Sequence, residues 1–110
     1  MITNSCKLRN PSVEGEELII GQEPEIADGV IGTWFDTPDG IWIPIVAAKN
    51  PGNGDVAKML NDLPTNRKIV FPTVISSILR SMLLRRGFEE TVVGHDSELG
   101  DIFGMQRLPK

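Results

Sequence analysis

Residues 41–54 read Ile41-Trp42-Ile43-Pro44-Ile45-Val46-Ala47-Ala48-Lys49-Asn50-Pro51-Gly52-Asn53-Gly54. The stretch Ile41–Ala48 is apolar and begins with β-branched and aromatic types, the composition of a strand. The rest breaks regular structure, because proline lacks a backbone donor and glycine accepts either sign of φ. A helical pattern follows over Asp55–Leu63, with Val56, Met59, Leu60 and Leu63 on one face and Pro64 behind it. The next apolar run, Lys68–Val74, holds Ile69-Val70-Phe71, which reads as a buried strand stopped near Pro72. From Thr73 a second helix is predicted, since Ile75, Ile78, Leu79, Met82 and Leu83 keep the i, i+3, i+4 spacing of one face. Thr73 or Ser76 would cap its start, Arg85 and Arg86 suit its negative end, and Gly87 can terminate it. Strand, glycine turn, helix, strand, helix is an order that can build a phosphate cradle on a mixed sheet.

Upstream lies a hairpin: Val30–Phe35, the turn Asp36-Thr37-Pro38-Asp39-Gly40, and Ile41–Ala48. Pro38 presets the first corner of that turn, and Gly40 suits its close. Glu16–Ile20 is a short strand candidate, Gln22–Gly29 reads as turn-rich, and residues 1–15 read as an extended arm. Downstream, Phe88–Val93 and Gly100–Leu108 are strand candidates joined through His95-Asp96-Ser97-Glu98. These elements predict one α+β domain over residues 1–110, with a mixed, mostly antiparallel sheet and two helices. Pro44 cannot donate to a ladder, so it belongs at an edge, a bulge or a place where two strands part. Trp34 and Trp42 sit on facing hairpin strands; two outward rings would mark an interface, whereas burial trends put at least one in the core.

Composition sets the outer limits. With 110 residues, 40% hydrophobic and 24% charged, the chain suits a single soluble core. No run approaches the length of a membrane span, and Lys7 and Arg9 fall where a secretory signal would be apolar. Cys6 is the lone cysteine, which excludes an internal disulfide and a cysteine metal cluster. The expected compartment is therefore the cytoplasm. Charge is uneven: residues 1–48 carry a net −6, residues 49–87 a net +5 and residues 88–110 a net −3. The basic block coincides with the glycine turn and both helices, which suits an anionic ligand and equally suits a solvated surface. An acidic total of −4 without aromatic–basic stacking argues against nucleic acid.

Gly52 and Gly54 flank Asn53 ahead of a helix, so their amides can converge without a Cβ in the way. Alone, that pair also fits a plain surface turn. In context, Lys49-x-x-Gly52-x-Gly54 resembles the pyrophosphate loop of the GNAT N-acyltransferase superfamily, and Ser76–Phe88, ending Arg86-Gly87-Phe88-Glu89, resembles that family's second cofactor-side helix. Ile102–Leu108 stands where its last strand would be, so the resemblance spans residues 30–108. It implies a GNAT-like strand–loop–helix–strand–helix core that binds acetyl-CoA or another acyl-CoA and acylates a small amine or a protein. It also implies that the strand before the loop is bulged and splays from its parallel neighbour, which would account for Pro44. The cofactor set implied is Ile45, Val46 and Ala47 toward the pantetheine amides, and Lys49, Gly52, Asn53, Gly54 and Asp55 around the pyrophosphate.

The pattern departs from the family at the acceptor region, where at most 29 residues precede the hairpin, and at Lys49, which replaces the common arginine or glutamine. It departs again at Leu83, where the family often places a tyrosine that protonates the thiolate; the chain has no tyrosine. Those departures fit the alternative of a non-catalytic structural or interaction protein. Small GNAT-like proteins of phage are company for a chain this short, with a host cytoplasm as compartment and a homo-oligomer among the outcomes. No catalytic residue is assigned. His95 is the only histidine and falls in a polar turn, which suits a solvated role better than a base. Glu89 and Glu90 alternate along a strand, so one can face a cleft. Asp36 and Asp39 belong to turn chemistry, and Ser76, Ser77 and Cys6 have no visible base.

Overall fold

A computed structural model describes residues 7–13, 15, 17, 19 and 21–110. The candidate strand Glu16–Ile20 lies mostly outside the described residues, as does Cys6. The chain runs β1 (Glu25–Ala27), β2 (Val30–Thr37), β3 (Gly40–Ala48), α1 (Asp55–Asn61), β4 (Ile69–Phe71), α2 (Ser77–Leu84), β5 (Glu89–Asp96) and β6 (Gly100–Arg107). Six strands form one sheet in the order β1-β2-β3-β4-β6-β5. Every pairing is antiparallel except β3 with β4. The expected α+β class, with its mixed and mostly antiparallel sheet and two helices, is the observed one.

The hairpin closes more tightly than its sequence suggests. Thr37 pairs with Gly40, leaving Pro38 and Asp39 as the loop. The Thr37 hydroxyl donates to the Gly40 carbonyl at 2.7 Å and accepts from the Gly40 amide at 3.0 Å. Asp36 and Asp39 form ion pairs with Arg67 at 2.7 Å and Lys68 at 3.3 Å, tying this turn to the approach of β4.

Both helices cover the same face of the sheet. Met59, Leu60 and Leu63 from the α1 segment and Leu83 of α2 share one core with Ile41, Ile43, Ile69, Phe71, Phe88 and Met105. Trp34 belongs to that core, and its indole N–H donates to the Arg9 carbonyl at 2.8 Å. Trp42 is half-buried on the other face, beside fully buried Val70. One tryptophan is thus in the core, as burial trends suggested.

The α2 stripe is only partly used. Ser76 caps the helix by accepting from the Leu79 amide at 3.2 Å, so the helix starts later than Thr73. That shift leaves Ile75 and Ile78 91% and 74% exposed, while Leu83 is sealed. Gly87, at φ 84, reverses the chain into Phe88, whose amide donates to the Leu83 carbonyl at 3.1 Å. The short β1, flanked by Pro24 and Asp28-Gly29, occupies a stretch that reads as turns. The described part of the arm lies along it: Arg9 N–H donates to the Ile26 carbonyl at 2.8 Å and Ser12 N–H to the Trp34 carbonyl at 2.7 Å.

Candidate functional site

The site begins where β3 loses its neighbour. β3 and β4 pair at Ile41↔Ile69 and Trp42↔Val70 and nowhere else. β4 then ends at Phe71, but β3 continues to Ala48. On its other side β3 stays joined to β2, although the register slips: from Thr33 to Phe35 β2 advances two residues, while β3 steps back three, from Ile45 to Trp42. The extra residue makes a β-bulge at Ile43-Pro44. Pro44 sits at the bulge and past the last β3–β4 pair, where a missing N–H leaves no ladder gap. Gly32 is required opposite: a Cβ there would overlap the Ile45 carbonyl oxygen.

Alternation of backbone groups decides what the open edge offers. Lys49 N–H donates to the Gly29 carbonyl at 2.8 Å, which makes Lys49 and Gly29 a hydrogen-bonded pair. Counting back along the register, Ala47 and Ile45 also direct their backbone groups at β2. Val46 and Ala48 face the other way, toward the space that β4 has left. Of Ile45, Val46 and Ala47, therefore, Val46 is the residue whose N–H and C=O point to that edge, with no partner among the described residues.

The glycine turn follows directly. Gly52 and Gly54 hold φ of 88 and 79, values that L side chains rarely adopt, and a Cβ on either would meet nothing within 4 Å. Their conformation, rather than crowding, is the reason for glycine. Gly54 is the N-cap of α1 and supplies no side-chain hydrogen bond. Asn53 donates from Nδ2 to Asp55 Oδ2 at 3.1 Å. The Asp55 carboxylate is turned toward Gly29, where an added Cβ would collide with it, and it lines a cavity of about 280 Å3 with Lys7, Arg9 and Lys58. Lys49 leans toward β1, with Nζ 3.8 Å from Glu25 Oε1. Lys49 and Asp55 thus direct their charges toward Glu25 and Gly29, while Gly52, Asn53 and Gly54 form the turn that leaves β3.

The acid–base candidates are dispersed. His95 is exposed on β5, its Nδ1 3.2 Å from Asp101 Oδ1 across the hairpin end. Glu90 pairs with Arg80 of α2. Ser76 is the cap just described, and Leu83 is fully buried. Among the described residues no group of three His, Cys, Asp or Glu side chains comes together to hold a metal ion. No described helix is long and apolar enough to cross a membrane.

Sequence reading missed a second concavity, at the far end of α2. Arg85, Arg86, Arg107 and Lys110 converge there on a cleft of about 560 Å3. About twenty residues separate the two halves of this cluster in the chain. The available signal was the pair Arg85-Arg86 at a predicted helix end and Arg107 at a predicted strand end. Comparison with known proteins returned no matching family model, no curated protein and no solved structure.

Proposed function

We propose that the chain is a GNAT-like domain that binds an acyl-CoA along the open edge of β3. The observation that carries this reading is the early parting of the one parallel strand pair, next to a bulge at Pro44. An unpaired strand edge presents a donor and an acceptor at Val46 to an extended ligand that carries amides, as pantetheine does. The glycine turn follows the same strand in the chain, and in this reading the amides about Gly52 and Gly54 take the pyrophosphate joined to that arm. The group, when bound, supplies an activated acyl thioester; this chain's residues supply edge hydrogen bonds and a glycine turn.

Binding without acyl transfer is the form the side chains favour. Proton transfer needs a group within hydrogen-bond reach of the reacting atoms. His95 stands at the end of the β5–β6 hairpin, Glu90 is held by Arg80, and buried Leu83 fills the place of the family's tyrosine. A small amine, a protein acceptor or a phage assembly partner would each be read from the acyl end.

Calorimetry tests the reading directly. CoA is expected to bind more tightly than dephospho-CoA, and both more tightly than pantetheine. No heat with acetyl-CoA at millimolar concentration overturns it. Labelled acetyl-CoA with an amine library separates the two forms: transfer above background would show that a base has been overlooked.

A further inference from the structure

The cleft at the C-terminal end of α2 combines charge, rigidity and volume in a way the acyl-CoA reading does not use. Arg107 pairs with Ile69, the first residue of β4, so the cleft lies below the joined part of the sheet, away from the open edge of β3. Glu89 and Gln106 complete its polar lining.

Among the described residues its cations form no ion pair. Arg9, Lys49, Arg67, Lys68 and Arg80 each form an ion pair with a described carboxylate. None of those pairs includes Arg85, Arg86, Arg107 or Lys110, and Glu89 makes none with them either. The C-terminal dipole of α2 offsets only about half a charge. In a chain of net −4, this is a concentrated positive site with no ion pair among the described residues.

Two of the guanidiniums are fixed by neutral acceptors. Arg86 donates from Nε to Asn61 Oδ1 and from Nη1 to the Met82 carbonyl, both at 2.9 Å. Arg107 donates from Nη1 to the Arg86 carbonyl at 3.3 Å and from Nη2 to the Pro64 carbonyl at 3.2 Å. Its guanidinium carbon lies 4.9 Å from the Phe88 ring centroid. Each arginine has five N–H donors, so these contacts leave several unused while setting the plane of the fork. A held, planar and unneutralised pair of forks matches the oxygens of phosphate, which guanidinium binds in a bidentate manner.

We propose that this cleft binds a compact phosphate anion of charge two or more, held by Arg86 and Arg107 with Arg85 and Lys110 at the rim. Such an anion is either free or the terminal phosphate of a larger molecule. The test is titration of the full chain with inorganic pyrophosphate at constant ionic strength, with a phosphorylated sugar as the second arm. Tighter binding of the sugar phosphate assigns the esterified source, and tighter pyrophosphate the free one. Saturable binding is expected, with about tenfold or greater loss in an Arg85→Glu, Lys110→Glu double variant. Those two side chains are exposed and hold no hydrogen bond among the described residues, so the variant should keep the wild-type circular dichroism. Arg107→Gln should lose affinity as well, with thermal unfolding read alongside to separate folding from binding. Lys68→Gln, at a cation outside the cleft, should leave pyrophosphate affinity unchanged. No saturable signal at millimolar ligand, unchanged affinity in the double variant, or tighter binding of an acidic peptide would each overturn the proposal. So would displacement of pyrophosphate by CoA with loss in Gly54→Ala, which would move the ion to the glycine turn.

Discussion

Trp42 and Val70 face each other as the last residues at which β3 and β4 are joined. One step further along β3 the backbone bulges at Ile43-Pro44, and two residues beyond the bulge Val46 turns its N–H and C=O into the gap. The same strand therefore turns one residue toward β2 and the next toward the open edge.

That alternation separates two proline substitutions one residue apart. Ala47→Pro removes a ladder donor to β2 and should cost about 1–3 kcal/mol, lowering Tm by roughly 10 °C. Val46→Pro removes a donor that pairs with nothing in the sheet, so Tm should move by less than about 4 °C. CoA affinity should fall about tenfold in Val46→Pro, as measured by calorimetry. Equal thermal losses in the two variants would mean that the backbone assignment along β3 is wrong.

Gly54 offers a test that is purely conformational. With open space around its missing Cβ and φ of 79, alanine should cost about 1–2 kcal/mol through backbone strain alone. Thermal unfolding should show a decrease of about 4–8 °C per kcal/mol. A D-alanine introduced by semisynthesis takes positive φ without penalty and should restore the wild-type midpoint.

The two ends of the α2 stripe should behave oppositely. Leu83→Ala opens a cavity in a sealed position and should cost about 2–5 kcal/mol in denaturant unfolding. Ile75→Ser and Ile78→Ser touch exposed side chains and should stay within about 0.5 kcal/mol of wild type. A large loss at Ile78 would mean that this face is covered in solution.

Asp96 carries a pH signature. Its carboxylate lies below the ordinary 3.8, chiefly because the Leu99 N–H donates to it and secondly because the Glu98 N–H does, against a small opposing effect of burial. A lowered carboxylate stabilises the fold fully above its ordinary value and ceases to do so as pH falls through the lowered one. Protection of the Glu98 and Leu99 amides, measured against their intrinsic exchange at each pH, should therefore fall below pH 3.8. Asp96→Asn should flatten the profile. If the variant still follows the wild-type curve, another group controls the hairpin end.

Much of this fold can be read from residue order because its signals are local. Apolar runs flanking Pro38-Asp39 specify the first hairpin, and Pro64 and Pro72 bound α1 and β4. Three-residue β1 has too few positions to show a period of two, so Pro24 and Gly29 made it look like loop. The helical spacing that Ile75 keeps places the start of α2 too early, although Ser76 offers the cap. Pro44 announced that the sheet is interrupted, and Gly52 and Gly54 that the backbone turns left-handed. The directions of Lys49 and Asp55 depended on Glu25 and Gly29, which lie more than twenty residues earlier in the chain. The basic cleft was hidden for the same reason, since Arg86 and Arg107 meet only after β6 has come back beside β4.

Because β4 contributes only Ile69–Phe71, the sheet is two antiparallel leaves stitched along a three-residue seam. Each leaf closes through its own short hairpin and can form early, whereas the seam needs residues some thirty positions apart to meet. A ligand wedged above the stitch would touch the leaf that owns β3 and press against the chain leaving the seam. Small rotations of one leaf against the other would then be felt at both ends of the molecule, which makes Val70 the residue whose amide exchange reports on them.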